Sequence, residues 1–156
     1  MTVGKKEVVR FQRVLHVRAV ERDITRSELA ERMTEEGAIM GRINETENMR
    51  DDAVETFCAP SAEAVSPQEL WFARQSIDMM ERKLAGDRHE LETCRDKIEE
   101  TKAELLTRHQ NVQLMARYVG RLEEKADKAA LDAEQKNLDD IASMRFKRDT
   151  RGGASV

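Results

Sequence analysis

The chain has 156 residues, of which 37 % are charged and 4 % aromatic, with two Pro and a formal net charge of −4. That leaves too little apolar bulk for a dense globular core, and the bias toward Ala, Glu, Lys, Leu and Arg is that of long helices and coiled coils. No apolar run approaches a transmembrane length, no secretory h-region opens the chain, and Cys58 and Cys94 lie far apart outside any CxxC, so a soluble, reduced, cytoplasmic protein is expected.

Charge is unevenly spread. Residues 1–22 carry Lys5, Lys6, Arg10, Arg13, Arg18 and Arg22 against Glu7 and Glu21. Residues 23–69 carry four Arg against twelve acids, and the tail from Ile141 is basic again through Arg145, Lys147, Arg148 and Arg151. Both termini are basic and the middle is acidic.

A first helix is predicted over residues 7–58. It opens with Val8, Phe11, Val14, Leu15 and Val17, weakens around Arg22 to Arg26, and resumes with Leu29, Met33, Met40, Ile43, Val54 and Phe57. The alternating steps of three and four pass through Glu36, Glu47 and Arg50. Gly37 and Gly41 form a GxxxG outside any apolar span, which reads as close packing of soluble helices or as mild local weakness. Pro60 ends the helix, and residues 59–66 form a connector.

Ser66-Pro67-Gln68-Glu69 is a clear start signal, with Ser66 as N-cap, Pro67 at the first helical position and Glu69 completing a capping box. The second helix, over residues 67–147, carries the clearest pattern in the chain. Steps of seven give Leu70, Ile77, Leu84, Leu91, Ile98, Leu105, Val112, Val119, Ala126 and Ala133. A companion row runs Ala73, Met80, Asp87, Cys94, Thr101, Arg108, Met115, Leu122, Ala129 and Lys136, polar from Asp87 to Arg108. This is a coiled-coil seam with a loosened second row.

Two long helices joined by a short connector fold back on one another, so the expected architecture is all-α. It is a single elongated domain over 1–156, an antiparallel coiled-coil hairpin whose second helix projects beyond the first. Pairing uses up the first helix near residues 115–120, leaving a single-helix tip roughly 40 Å long. Small seam residues, Ala126, Ala129 and Ala133, suit that tip, Gly120 is a candidate bend, and a frayed tail is expected over 148–156.

Nothing here resembles a catalytic site, because a two-helix coil offers no cavity in which polar groups converge. His16, His89 and His109 have no partner at i, i+4, so no metal or cofactor is expected, and Cys94 on the seam reads as a small hydrophobe. The basic N-terminus lacks interleaved aromatics apart from Phe11, which argues against nucleic acid and for an acidic protein cavity. Trp71 and Phe72, adjacent in the first turn of the second helix, cannot both face the seam. They either cap the hairpin against Phe57 or form an exposed aromatic anchor. After Ala133 the heptad breaks, and a rotated stripe of Leu138, Ile141 and Phe146 suggests a separate partner.

Residues 134–145 read EQKNLDDIAxxR, and residues 11–21 read FQRVLxVRxxE, running into LAE at 29–31. These strings resemble the closing and opening signatures of the FliJ/YscO family of type III export stalk proteins, and the break near residue 67 fits as well. The resemblance implies the coiled-coil stalk of a flagellar or injectisome export apparatus, the closing string tilting toward the flagellar type, that enters the hexameric export ATPase ring and reaches the cytoplasmic ring of the export gate. It also implies a place at the base of the export apparatus and contact with export chaperones. By position, the ATPase-ring residues would be Phe11, Arg13, Leu15, Leu138, Asp139, Ile141 and Arg145, and the export-gate residues Trp71, Phe72 and Ile77. The Trp-Phe pair departs from the single aromatic expected there. The rival readings are a scaffolding homodimeric coiled coil with no export role, and a compact secretion chaperone.

Overall fold

The computed structural model describes residues 4–59 and 64–152, with side chains as far as residue 148. Its elements are two helices, α1 (Lys5–Cys58) and α2 (Pro67–Gly152), with no strand among the described residues. They pack as an antiparallel coiled-coil hairpin with the longer helix second. Pro60, the adjoining part of the connector and the tail beyond Gly152 lie outside the described residues.

Both helix starts are legible in local chemistry. At α1 the Gly4 carbonyl accepts from the amides of Glu7 at 2.8 Å and Val8 at 3.4 Å, and Glu7 places a negative charge at the positive end of the helix dipole. At α2 the capping box is complete. The Ser66 amide donates to Glu69 Oε2 at 2.9 Å, and the Glu69 amide donates to Ser66 Oγ at 3.2 Å. Helix α2 runs unbroken through Gly120 and reaches Gly152, five residues past the sequence-based estimate of residue 147. The Ala-rich run from Ala126 and the absence of any Pro give it no reason to stop earlier.

The packing divides into two units. The loop-end unit, Asp23–Thr107, holds a core of Ile39, Ile43, Leu84, Cys94 and Ile98, with Leu29 and Leu91 packed against it. Leu84 is completely buried and Ile39 nearly so, each contributing about 1.5–3 kcal/mol. Cross-helix ion pairs fix the direction. Glu36 meets Arg95, Arg42 meets Glu90, Glu47 meets Arg88 and Arg50 meets Glu81, so partner numbers fall as those of α1 rise. Exposed pairs of this kind are each worth about 0–1 kcal/mol, so they set register more than stability.

The polar part of the seam draws partners from both helices. Thr101 Oγ1 donates to the Lys97 carbonyl at 2.7 Å, and the Cys94 thiol lies 3.7 Å from the Arg32 carbonyl. Burial, reinforced by nearby Glu35 and Glu36, pushes the Cys94 thiol above its usual range, which suits an inert packing residue.

The α1 seam differs from the sequence expectation by one position. Its second row runs through Arg32, Ile39, Thr46 and Ala53, whereas Met33, Met40, Val54 and Phe57 are exposed. In α2 the expected rows hold from Ala73 to Ala129, but Leu70, Ala133 and Lys136 are exposed. Gly37 and Gly41 are exposed too, and a Cβ at either would meet nothing within 4 Å, so close packing gives way to local weakness as their reading.

In the open-end unit, residues 1–22 with 108–156, the seam is Val8, Val112, Val119 and Leu122, with Phe11 and Leu15 half-buried beside them. Gln12 Nε2 donates to Glu123 Oε1 at 2.6 Å, and Arg108 Nη1 to the Glu21 carbonyl at 3.0 Å. Within this unit α2 outruns α1. Ala129 is the last half-buried residue, and every residue from Ala130 to Arg148 is exposed.

Candidate partner-binding surfaces

The N-terminal part of α1 is chemically unlike the loop-end unit. Its cations Lys5, Lys6, Arg10, Arg13 and Arg18 enter no ion pair among the described residues, while Arg42, Arg50, Arg88 and Arg95 in the other unit all do. Val9, Val14, Val17 and Val20 lie exposed between these cations. Two shallow grooves show the combination, one lined by Lys5, Lys6, Val9, Arg10 and Arg13, the other by Arg13, Val14, Val17, Arg18 and Glu21. Counted over each unit, the open end has 16 Lys and Arg against 10 Asp and Glu, and the loop end 11 against 21. An exposed cationic and apolar surface of this kind is suited to an acidic protein wall.

The α2 extension is the second feature of this unit. Leu131, Leu138, Ile141, Met144 and Phe146 are all at least half exposed, on a helix that has no α1 beside it. Asp139 and Arg145 are exposed among them. The ring-facing residues expected from the sequence therefore fall into two groups. Phe11, Arg13 and Leu15 stand on α1 where it pairs with α2, and Leu138 lies roughly 20 Å further along α2 than Glu123. Within the first group only Arg13 is fully presented. Leu15 faces the seam, and Phe11 packs edge to face on Tyr118 with ring centroids 5.1 Å apart.

In the loop-end unit, Trp71 and Phe72 are 58 % and 59 % exposed and pack edge to face on each other, with centroids 5.1 Å apart at 75°. Their helical positions, about 100° apart, keep both off the seam, and the capping box two residues earlier anchors the turn that carries them. Ile77 is half-buried at the seam and supports the pair's helix rather than presenting a side chain.

Sequence reasoning passed over Leu114 and Tyr118, which are exposed although large, and Val9 and Val20 of α1; Val17, read as part of the opening apolar cluster, is exposed as well. The available signal was their position off the heptad rows. Among the described residues no group of three or more His, Cys, Asp or Glu is placed to hold a metal. No described helix is long and apolar enough to cross a membrane.

The chain matches the family model described as "Flagellar FliJ protein" over residues 6–151. No curated protein and no solved structure matches it.

Proposed function

The chain belongs to the FliJ family, and we propose that it is the stalk of a flagellar-type protein export apparatus, coupling a hexameric export ATPase to the cytoplasmic ring of the export gate. Membership supports an export-stalk role rather than an enzyme. The observation that carries the ATPase assignment is the open-end unit itself. It combines five α1 cations that enter no ion pair among the described residues with an α2 extension whose described side chains are exposed from Ala130 onward. A ring hole lined by acidic and apolar groups would accept both. In this reading Arg13 with Leu138, Asp139, Ile141 and Arg145 touch the ring directly, and Phe11 and Leu15 hold the α1 segment that presents Arg13.

Trp71 and Phe72 are the gate-facing residues, with Ile77 behind them. Aromatic side chains left exposed on a well-capped helix start are the kind that dominate interface energetics. Contact with export chaperones and a cytoplasmic position at the base of the apparatus complete the reading. The experiment is a titration of the purified chain into its export ATPase, following ring assembly and ATP hydrolysis across ionic strength. Stimulation that falls steeply with added salt is expected, because unpaired surface cations act over a screened range of about 8 Å at physiological ionic strength. Absence of any stimulation at low salt removes the ATPase assignment.

A further inference from the structure

One flank of the open-end unit carries a groove of which the stalk reading uses only Phe11 and Arg18. Phe11 and Arg18 form its α1 wall, and Asn111, Leu114, Met115 and Tyr118 its α2 wall. Leu114 is 63 % exposed and Tyr118 45 %, so both keep much of their surface open, while Val112, Val119 and Leu122 form the buried seam. Nearby off-seam positions of α2 are Gln110, Gln113, Arg117 and Arg121, so Leu114 and Tyr118 are the large apolar side chains left exposed on this stretch. The edge-to-face packing of Phe11 on Tyr118, at 79°, makes the floor a preformed aromatic surface.

Two properties define what would lie there. Asn111, Leu114, Met115 and Tyr118 fall at i, i+3, i+4 and i+7, a two-turn ridge along a valley between antiparallel helices, the geometry that receives a third helix. The rim is cationic. Arg18 lines the groove without an ion pair among the described residues, Arg117, Arg121 and Lys125 are exposed on the same stretch of α2, and the unit as a whole is basic. The same face of a second copy would bring like charges together, which disfavours a symmetric dimer through this surface.

We propose that this groove binds one amphipathic helix of an acidic partner protein, its apolar residues seated on Phe11, Leu114 and Tyr118 and its carboxylates paired with Arg18. The groove shares Phe11 and Arg18 with the α1 surface of the ring reading, whose direct contacts are Arg13 and the α2 extension, so the two are told apart by the protein captured at each position.

The test uses the full chain in its native cells with a photo-crosslinking phenylalanine derivative in place of Leu114, and a second chain carrying it in place of Leu138. Adducts are mapped to the crosslinked peptide by mass spectrometry. The Leu114 position is expected to capture a helical, net-acidic segment of another protein, different from the one captured at Leu138. Arg18→Glu should cut that adduct at least tenfold while circular dichroism and melting stay unchanged, since Arg18 is exposed. An adduct with a second copy, with lipid or nucleic acid, or with the same protein that Leu138 captures overturns the proposal, as do an adduct indifferent to Arg18→Glu and no adduct at all. Loss of the Leu138 adduct alone bears on the ring reading and leaves this one standing.

Discussion

Arg42 lies 3.5 Å from Asp87 across the seam, but its shorter contact, 2.6 Å, goes to Glu90 outside it. Asp87 is thus left half-served. Its side chain is only 13 % exposed, and Oδ2 is buried without a hydrogen-bond partner. Leu84 and Leu91 flank it on the same face, so the carboxylate sits in the most apolar part of the chain. Replacing a buried, incompletely paired charge by a hydrophobe of similar size is commonly stabilising. Asp87→Leu is therefore expected to raise stability by about 1–3 kcal/mol. Urea unfolding followed by circular dichroism measures it, and a lower midpoint would mean that Asp87 is better satisfied than its geometry indicates.

A second prediction concerns pH. The Ser66 amide, and next its hydroxyl, hold the Glu69 carboxyl below the usual carboxylate range. A folded-state value below the unfolded one contributes stability that is complete above the ordinary carboxylate range and is lost as pH falls through the folded value. The protection of the Glu69 and Leu70 amides, measured against their intrinsic exchange at each pH, should therefore fall on acidification before that of the rest of α2 responds. Glu69→Gln, which keeps the box in neutral form, should flatten that dependence. Ser66→Ala should cost about 1 kcal/mol at neutral pH.

The α2 seam was almost fully legible because apolar residues recur at steps of seven over ten positions, a regularity that outweighs neighbours such as Met79, Leu106 and Leu114. In α1 one row was misplaced. Ile39 and Met40 are adjacent and both apolar, so a pattern reading has two phases 100° apart and no way to choose. The buried phase includes Arg32 and Thr46, which look like surface residues but fit a two-helix seam, where an arginine stem lies along the partner and its head stays wet. The exposed pair Trp71 and Phe72 was legible as a conflict of faces. The groove at Leu114 was not, since it arises from which flank of α1 lies beside it.

That row assignment is testable. Ile39→Ala should cost about 2–4 kcal/mol, as expected for a buried aliphatic truncated to a methyl. Met40→Ala should fall within about 0.5 kcal/mol of neutral, because its side chain is exposed. Comparable losses at the two sites would restore the alternative phase.

Truncation after Ala130 separates fold from function at the open end. Among the described side chains it removes only exposed positions of α2, so melting temperature and fractional helicity of the remainder should be unchanged. Stimulation of the export ATPase should be lost, with gate binding retained. A truncated chain that still stimulates the ring would put the contact on α1 alone, with Arg13 and its neighbouring cations.

The last prediction concerns Trp71 and Phe72. Each has more than half its surface open and packs edge to face on the other ring, so Trp71→Ala and Phe72→Ala should each cost less than about 1 kcal/mol of stability. If the pair anchors the gate, either change should weaken gate-ring binding by 2 kcal/mol or more, about thirtyfold, because aromatic anchors carry a disproportionate share of interface energy. Stimulation of the ATPase should survive, since none of its proposed contacts lies in the loop-end unit. Fluorescence supplies an independent check, because Trp71 is the only Trp in the chain. In the free protein acrylamide should quench it readily, and saturating gate ring should protect it. Strong initial protection, or a large loss of stability in Trp71→Ala with gate binding intact, would make the pair a cap on the hairpin and move the gate contact elsewhere.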